Sequence, residues 1–178
     1  LAYAKTPHTP RNLYRLGRGF QLSNNKAKAI AIYQQLIRAF PNAEETDAAL
    51  MNLARMTEKK QAIAYLDRII SRFPNSAGTA LEKKADILDT LNSKQSAAKV
   101  RQLLLDKYGD SEAAAEYRWK VAQAKAANRD YKQAWLWAQP IPLHNSDSIL
   151  APRAGFWIGK WAMYLRRQED AQAAFKYV

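Results

Sequence analysis

Apolar residues recur along this chain three and four positions apart, which is the spacing of one face of an α-helix. Similar segments interrupt this pattern at regular intervals. Leu36–Asn42 (LIRAFPN) recurs 33 residues later as Ile69–Asn75 (IISRFPN), and 35 residues after that as Leu104–Asp110 (LLDKYGD). A period of this length predicts stacked helical hairpins, because a single hairpin cannot bury its apolar face alone.

The pattern predicts ten helices, paired in five hairpins. Their predicted bounds are 10–22 with 25–39, 44–56 with 58–72, 77–91 with 94–107, 111–127 with 130–139, and 150–165 with 168–178. The proline-containing segment 139–148 is predicted to be a long loop, either a plain connection between helices or a loop that binds a partner. Leu1–Lys5 is predicted to end an earlier helix, and the last helix stops without a closing proline. We therefore expect residues 1–178 to be one repeat domain, a fragment of a longer protein.

Small residues mark where the two helices of each hairpin should touch. One set, in the second helices, is Ala29, Ala62, Ala97, Ala134 and Ala171. Twelve positions earlier stand Gly17, Ala85, Ala122 and Gly159 in all hairpins but the second. There the best candidate, Ala54, comes only eight positions before Ala62, which predicts a shortened first helix or turn.

The first hairpin resembles the tetratricopeptide pattern. The residues that carry this resemblance are Leu13, Leu16, Gly17, Phe20, Ala29, Tyr33, Leu36 and Pro41. It implies an all-α fold, a right-handed α-solenoid of about ten helices. Proteins of this architecture mainly present surfaces to other molecules.

The chain is basic, with 28 Lys and Arg against 16 Asp and Glu and a net charge of +12. This balance favours anionic partners. Three explanations stay open: solvated helix faces balanced by an acidic region elsewhere, an anionic polymer such as the cell wall, and nucleic acid. Nucleic acid is disfavoured because the cations are dispersed and no RNA-binding motif is present. No apolar stretch approaches the roughly 18 residues of a membrane span.

Residues with catalytic or metal-binding patterns are scarce. The chain has no cysteine, and its two histidines, His8 and His144, lie in predicted loops without a second histidine nearby. It has no Gly-rich phosphate loop and no nucleophile elbow. We therefore predict no catalytic residue, no metal site and no cofactor within this fragment.

Arg153–Lys160 (RAGFWIGK), followed by Leu165–Phe175, resembles a helix pair in the soluble lytic murein transglycosylases. Phe156 and Lys160 stand where that family has Tyr and Arg. The resemblance implies a periplasmic or cell-envelope protein that cleaves peptidoglycan as a lyase. This region would be the superhelix that positions or binds glycan strands for a missing lysozyme-like domain. The family's catalytic Glu lies in a Glu-Ser pair, which this chain lacks, so no catalytic residue carries over.

A second resemblance supports a different function. The junctions Phe40–Glu44 (FPNAE) and Phe73–Ala77 (FPNSA) are similar to those of periplasmic tetratricopeptide proteins that act in envelope assembly. Those proteins are adaptors that mediate protein–protein interaction. The sequence leaves both functions open.

Either function predicts a binding groove along the first helices of the hairpins. Counted from Gly17, Ala122 and Gly159, the residues that should line it are Arg11, Tyr14, Arg18, Trp119, Arg153, Phe156, Lys160 and Tyr164. The third hairpin adds acidic residues, so the groove should be patchy. We expect weak, salt-sensitive binding to peptidoglycan glycan strands or to an acidic protein segment.

Overall fold

The computed structural model describes residues 8–178, which fold into eleven α-helices with no strand in that range. The helices are α1 (Pro10–Leu22), α2 (Lys26–Ala39), α3 (Glu44–Met56), α4 (Lys59–Arg72), α5 (Pro74–Thr90), α6 (Lys94–Lys107), α7 (Glu112–Ala127), α8 (Tyr131–Ala138), α9 (Pro140–His144), α10 (Ala151–Tyr164) and α11 (Gln168–Phe175). The predicted all-α, tetratricopeptide-like fold class is confirmed. The predicted helix end at Leu1–Lys5 lies outside the described residues.

The chain divides into two compact units, residues 1–98 and 99–178, with the boundary inside α6. In the first unit, α1 packs on α2, α2 on α3, α3 on α4 and α4 on α5. In the second, α7 packs on α8, α8 on α10 and α10 on α11. Consecutive helices therefore pair as hairpins, and α9 is an addition between the fourth and fifth.

Four hairpins turn in the same way. One residue in each turn has a positive φ of 56° to 60°: Asn24, Asn92, Arg129 and Arg166. The next N–H then bonds to a carbonyl five residues earlier, for example Asn25 to Phe20 at 2.8 Å. This is the Schellman helix ending, which usually carries Gly or Asn at the left-handed position. It fixes the three-residue turn between paired helices.

The second hairpin lacks this turn. Only Thr57 and Glu58 separate α3 from α4, and both have extended backbone. The shortened turn predicted from the position of Ala54 is thereby confirmed.

The small residues lie where the sequence pattern placed them, and all members of both sets are buried. The two glycines of these sets lie close to aromatic rings. A Cβ added to Gly17 would lie 2.6 Å from Cε1 of Tyr33, and one added to Gly159 would overlap Cε1 of Phe175. In both hairpins a ring from the second helix therefore occupies the space that a glycine leaves on the first.

The connection after α8 differs from the predicted loop. Pro140 starts the short helix α9, where the missing N–H of proline removes no helical hydrogen bond. Ile141 is fully buried, which anchors this helix in the core of the second unit. The predicted loop over 139–148 was wrong for residues 140–144, because proline is acceptable in the first turn of a helix, whereas residues 145–148 are not helical.

Polar bonds hold the residues that follow α9. Arg118 donates from Nη1 to the Gly109 carbonyl at 2.5 Å and to Asn145 Oδ1 at 3.2 Å. Asn145 donates from Nδ2 to the Ser111 carbonyl at 3.1 Å. Burial lowers the pKa of the Arg118 guanidinium from its ordinary value, although Asp110 opposes that shift. This connection is thereby tied to the start of α7.

Candidate partner-binding surfaces

The first helices of the first and fifth hairpins carry the same arrangement of side chains. Arg11, Tyr14 and Arg18 on α1 repeat as Arg153, Phe156 and Lys160 on α10. In each helix a cation, an aromatic ring and a second cation stand at positions i, i+3 and i+7. Residues at this spacing share one face of an α-helix. Both helices therefore present a cationic and aromatic stripe.

On the first hairpin this stripe is uncompensated by negative charge. Residues 1–43 contain no Asp or Glu. Within the described range, Arg11, Arg15 and Arg18 form no ion pair with a carboxylate. Arg11 and Arg15 are exposed and Arg18 is half-buried. The cations of this hairpin are Arg11, Arg15, Arg18, Lys26, Lys28 and Arg38.

A largely buried polar network lies beneath the α1 stripe. The Tyr14 ring stands 5.9 Å from that of Tyr33, measured between centroids. Tyr33 is fully buried, and its hydroxyl donates to Gln21 Oε1 at 3.1 Å and accepts from Asn52 Nδ2 at 3.3 Å. Burial raises the pKa of Tyr33 to about 12, although the positive charge of Arg18 opposes this. The hydroxyl therefore stays neutral and keeps both bonds at physiological pH.

On the fifth hairpin the cations lie against aromatic rings of the same unit. The Arg153 guanidinium stands 5.8 Å from the ring centroid of Trp119. Lys160 Nζ stands 5.8 Å from that of Phe156 and 5.9 Å from that of Trp157. Each distance is within the range of a cation–π interaction. These two cations already have favourable partners before any ligand arrives.

Phe156 and Tyr164 of α10 remain accessible. Phe156 is 42% exposed and Tyr164 is 63% exposed. Tyr164 stacks on Tyr131 with ring centroids 4.9 Å apart. The fifth hairpin therefore offers an aromatic surface more than a set of free charges.

Trp119 does not lie on such a surface, which corrects one predicted groove residue. It is 6% exposed and stacks on Trp161 of α10 with ring centroids 6.1 Å apart. Like Tyr14 and Phe156, it comes three positions before a small residue of the repeat. Its indole is large enough to reach the next hairpin, and Arg153 covers it, so it belongs to the core. The remaining candidates keep accessible positions, and their binding role stays a prediction.

Sequence reasoning missed the polar partners of Tyr33. Gln21 and Asn52 stand on different first helices, and nothing in the repeat pattern indicated that they meet at one hydroxyl. Tyr33 was recognised only as a repeat aromatic. Its partners could have been suggested by the polar character of Asn52, which lies among apolar positions of α3.

A histidine lies near a carboxylate away from both stripes. His144 Nδ1 lies 3.6 Å from Asp110 Oδ1, and both side chains are exposed. No group of three or more His, Cys, Asp or Glu side chains within residues 8–178 could hold a metal ion. Over the same range, no helix has both the length and the apolar character needed to span a bilayer.

Comparison with known families supports the repeat. A family model described as a tetratricopeptide repeat matches residues 11–43 and 48–76, the first two hairpins. The comparison with curated proteins found no match.

Solved structures extend the likeness to nearly the whole chain. A tetratricopeptide repeat protein from Parabacteroides merdae is 17% identical, with a TM-score of 0.57, over 94% of this chain and 64% of that one. MamA from Desulfovibrio magneticus is 11% identical, with a TM-score of 0.52, over 96% and 93%. PilF from Pseudomonas aeruginosa is 12% identical, with a TM-score of 0.52, over 94% and 74%. At these identities the likeness shows the fold alone.

Proposed function

We propose that this chain is a protein-interaction adaptor whose first hairpin binds an acidic segment of a partner polypeptide. The observation that carries the proposal is the α1 stripe of Arg11, Tyr14 and Arg18, in a hairpin with no carboxylate. The tetratricopeptide match covers the same hairpin. Repeats of this kind create extended binding surfaces.

The geometry suits a carboxylate-rich segment. Arg11 and Arg18 are seven residues apart, which is about 10 Å along a helix axis. Guanidinium groups bind carboxylates through two parallel hydrogen bonds and are less strongly hydrated than ammonium groups. Tyr14 lies between them and offers apolar contact. A segment with acidic residues on either side of an apolar one would match this order.

The expected affinity is modest and depends on salt. Each ion pair at an exposed site contributes only about 0.2–1 kcal/mol. At physiological ionic strength such charges are screened over about 8 Å. The cations of the first hairpin therefore attract an acidic segment toward α1. Tyr14 and Arg18, which are half-buried, supply the contact that remains when the exposed charges are screened.

The glycan-binding function rests on a narrower basis. Its support is the resemblance of Arg153–Phe175 to the transglycosylase helix pair, together with the exposed rings of α10. The comparisons give no support for the transglycosylase attribution or for a periplasmic location, so both stay predictions. Retention on purified cell-wall sacculi, compared between the unmutated chain and the triple variant Arg18→Glu, Arg153→Glu and Lys160→Glu, tests this function. Equal retention at low salt would eliminate these residues as the glycan-binding surface.

The adaptor proposal is tested with a short fluorescein-labelled peptide rich in Asp and Glu. We expect saturable binding by fluorescence anisotropy that weakens as salt rises. The double variant Arg11→Glu, Arg18→Glu should lower the affinity about tenfold, since two attractive contacts become repulsive.

A matched control carries the same change of charge on the other helix of the hairpin. Lys26 and Lys28 are both exposed and lie on the first turn of α2. Lys26→Glu, Lys28→Glu should change the affinity much less than the α1 variant. Equal losses in the two variants would mean that net charge alone attracts the peptide, and the proposed α1 surface would be wrong.

A further inference from the structure

Two hairpin turns of the second unit, α7–α8 and α10–α11, lie side by side. Tyr131 follows the first turn and Tyr164 precedes the second. Their rings stack with centroids 4.9 Å apart and planes 17° apart, which brings the two turns together. Arg129 and Arg166 stand within these turns, each two residues from its tyrosine. We call these four residues the turn edge, which combines two stacked rings with two guanidinium groups.

Both arginines of the turn edge adopt a backbone conformation that suits other residues better. Arg129 has a φ of 60° and Arg166 a φ of 59°, in the left-handed region that favours Gly and Asn. The same position carries Asn24 in the first hairpin and Asn92 in the third, so the turn itself requires no cation. Attraction to the helix C-terminus offsets only part of this strain. Residues held in strained backbone conformations are concentrated at functional sites.

The charges at the turn edge are available to a ligand. Arg129 and Arg166 are exposed, and within the described range neither side chain forms an ion pair, a hydrogen bond or a ring contact. Lys125 and Lys132, on either side of Arg129 in sequence, also lack a carboxylate partner in that range. The carboxylate next to Arg129 belongs to Asp130, which accepts a hydrogen bond from the α8 backbone at 3.1 Å. These cations are separated in sequence, but the fold gathers them around one pair of rings.

The ring of Tyr164 offers an open face between these cations. Tyr164 is 63% exposed, and Tyr131 covers only one side of its ring. An accessible aromatic face with cations beside it suits single-stranded nucleic acid, whose bases stack on aromatic side chains while cations follow the phosphates. Guanidinium groups suit this task because they bind phosphate through two parallel hydrogen bonds.

We propose that the turn edge binds single-stranded nucleic acid, with one base stacked on Tyr164 and phosphates paired with Arg129 and Arg166. Duplexes fit less well, because their base faces are already covered by neighbouring bases. Acidic polypeptides supply the negative charge but have no flat base for the open face of Tyr164. The net charge of +12 attracts a polyanion of this kind. The inference is independent of the acidic segment proposed for α1.

The test uses the full chain and a short fluorescein-labelled oligothymidylate, followed by fluorescence anisotropy. We expect saturable binding that weakens as salt rises. The double variant Arg129→Gly, Arg166→Gly removes both guanidinium groups and relieves the backbone strain, so it keeps the fold. It should bind about tenfold more weakly, and the slope of log affinity against log salt should become shallower by about 1.4, since each phosphate contact on a single strand contributes about 0.7.

A matched control removes two positive charges from the same unit away from the turn edge. Lys107 precedes α7 at the opposite end from Arg129, and Lys176 follows α11 at the opposite end from the α10–α11 turn. Both are exposed. Lys107→Gln, Lys176→Gln should lower the affinity less than about threefold, because charges far from the bound strand are screened. Equal losses in the two double variants would mean that net charge alone attracts the strand, and would overturn the proposal.

The stacking contact is tested separately from the charges. Tyr164→Leu keeps every charge but removes the ring, and should weaken binding about fivefold or more, whereas Tyr164→Phe should bind like the unmutated chain. A strand of abasic deoxyribose phosphate of the same length should also bind more weakly than oligothymidylate. The proposal is overturned if the unmutated chain does not bind, if Tyr164→Leu has no effect, or if the abasic strand binds equally. Equal competition by the Asp- and Glu-rich peptide would overturn it in favour of an acidic polypeptide.

Discussion

The first and fifth hairpins share a sequence pattern but differ in how the structure uses it. Each has a glycine on its first helix and an aromatic ring sixteen positions later that packs against it. Tyr33 is fully buried, whereas Phe175 is 38% exposed. The difference comes from the neighbouring helix: α3 covers Tyr33 and donates a hydrogen bond from Asn52, and Phe175 has no such helix over it within residues 8–178. A repeat position therefore acquires its environment from the next hairpin as much as from its own.

The charged stripes of the same two hairpins differ in a similar way. Arg11 and Arg18 have no aromatic ring within cation–π distance in the described range, whereas Arg153 and Lys160 lie over rings of their own unit. With the same spacing of residue types, the α10 cations contact aromatic rings, whereas Arg11 and Arg18 on α1 have no such ring in the described range. This contrast is why the adaptor surface is assigned to the first hairpin.

Substitution of the two glycines should give the largest difference between the hairpins. Gly17→Ala places a methyl group against Tyr33, which is buried and held by two hydrogen bonds, so the ring cannot move away. We expect a net loss of about 1–2 kcal/mol in the free energy of unfolding, even though alanine favours the helix. Gly159→Ala meets the exposed Phe175 ring, which can shift, and its effect should lie within about 0.5 kcal/mol of zero. Thermal denaturation followed by circular dichroism measures both.

Gly19 is the matched control for this pair. It lies on the same helix as Gly17, and no atom stands within 4 Å of a Cβ added there. Gly19→Ala should therefore stabilise the protein by about 0.5–1 kcal/mol. A destabilising Gly19→Ala, or equal effects at Gly17 and Gly159, would contradict the packing described here.

Removing the Tyr33 hydroxyl should cost about as much as Gly17→Ala. Tyr33→Phe deprives the buried Asn52 amide of an acceptor, and we expect a loss of about 1–2 kcal/mol. The reciprocal change in the fifth hairpin, Phe175→Tyr, adds a hydroxyl to an exposed ring and should have almost no effect. Urea denaturation of both variants tests the contrast, and an unaffected Tyr33→Phe would mean that the network contributes nothing to stability.

The same hydroxyl predicts a dependence of stability on pH. The pKa of Tyr33 is raised from 10.0 to about 12 in the folded protein. Below pH 10 the phenol is neutral in both states, so its full contribution is present. Between pH 10 and 12 the unfolded state releases the proton more readily, so the free energy of unfolding falls. The stability advantage over Tyr33→Phe should shrink across this window, and a constant advantage would contradict the raised pKa.

The hairpin turns should show the smallest difference in stability. Arg166 and Asn24 occupy the same left-handed position, with φ of 59° and 58°. Arginine is strained there, while asparagine is tolerated. Arg166→Gly should therefore raise the free energy of unfolding by about 0.5–1 kcal/mol, and Asn24→Gly by less. A lower melting temperature for Arg166→Gly would show that the contacts of the Arg166 side chain stabilise the fold by more than the backbone strain destabilises it.

The sequence predicted most of the fold because two signals agreed. Helical periodicity gave the helices, and the small residues gave the register, so the bounds of α1, α3 and α6 were predicted without error. The errors in the predicted helix bounds were local. Pro74 extends α5 to an earlier start than predicted, and α9 begins with a proline, because proline is acceptable in a first turn.

The candidate surfaces were less predictable than the fold. Tyr14, Trp119 and Phe156 occupy equivalent repeat positions and were all assigned to the groove, yet Trp119 is buried. Its environment depends on Trp161 in the next hairpin, a contact that periodicity does not encode. The contact of Tyr33 with Asn52 was missed for the same reason, since these two side chains belong to different hairpins.

The most direct test of the adaptor proposal compares the two stripes in one binding assay. The affinity for the Asp- and Glu-rich peptide is measured by isothermal titration calorimetry for Arg11→Glu, Arg18→Glu and for Arg153→Glu, Lys160→Glu. The two variants change net charge equally, at equivalent positions of the repeat. Since the α10 cations are held by their own aromatic rings, we predict about a tenfold loss for the first variant and less than about a threefold loss for the second. An equal loss, or a larger loss from the fifth hairpin, would contradict the assignment of the partner-binding surface to α1.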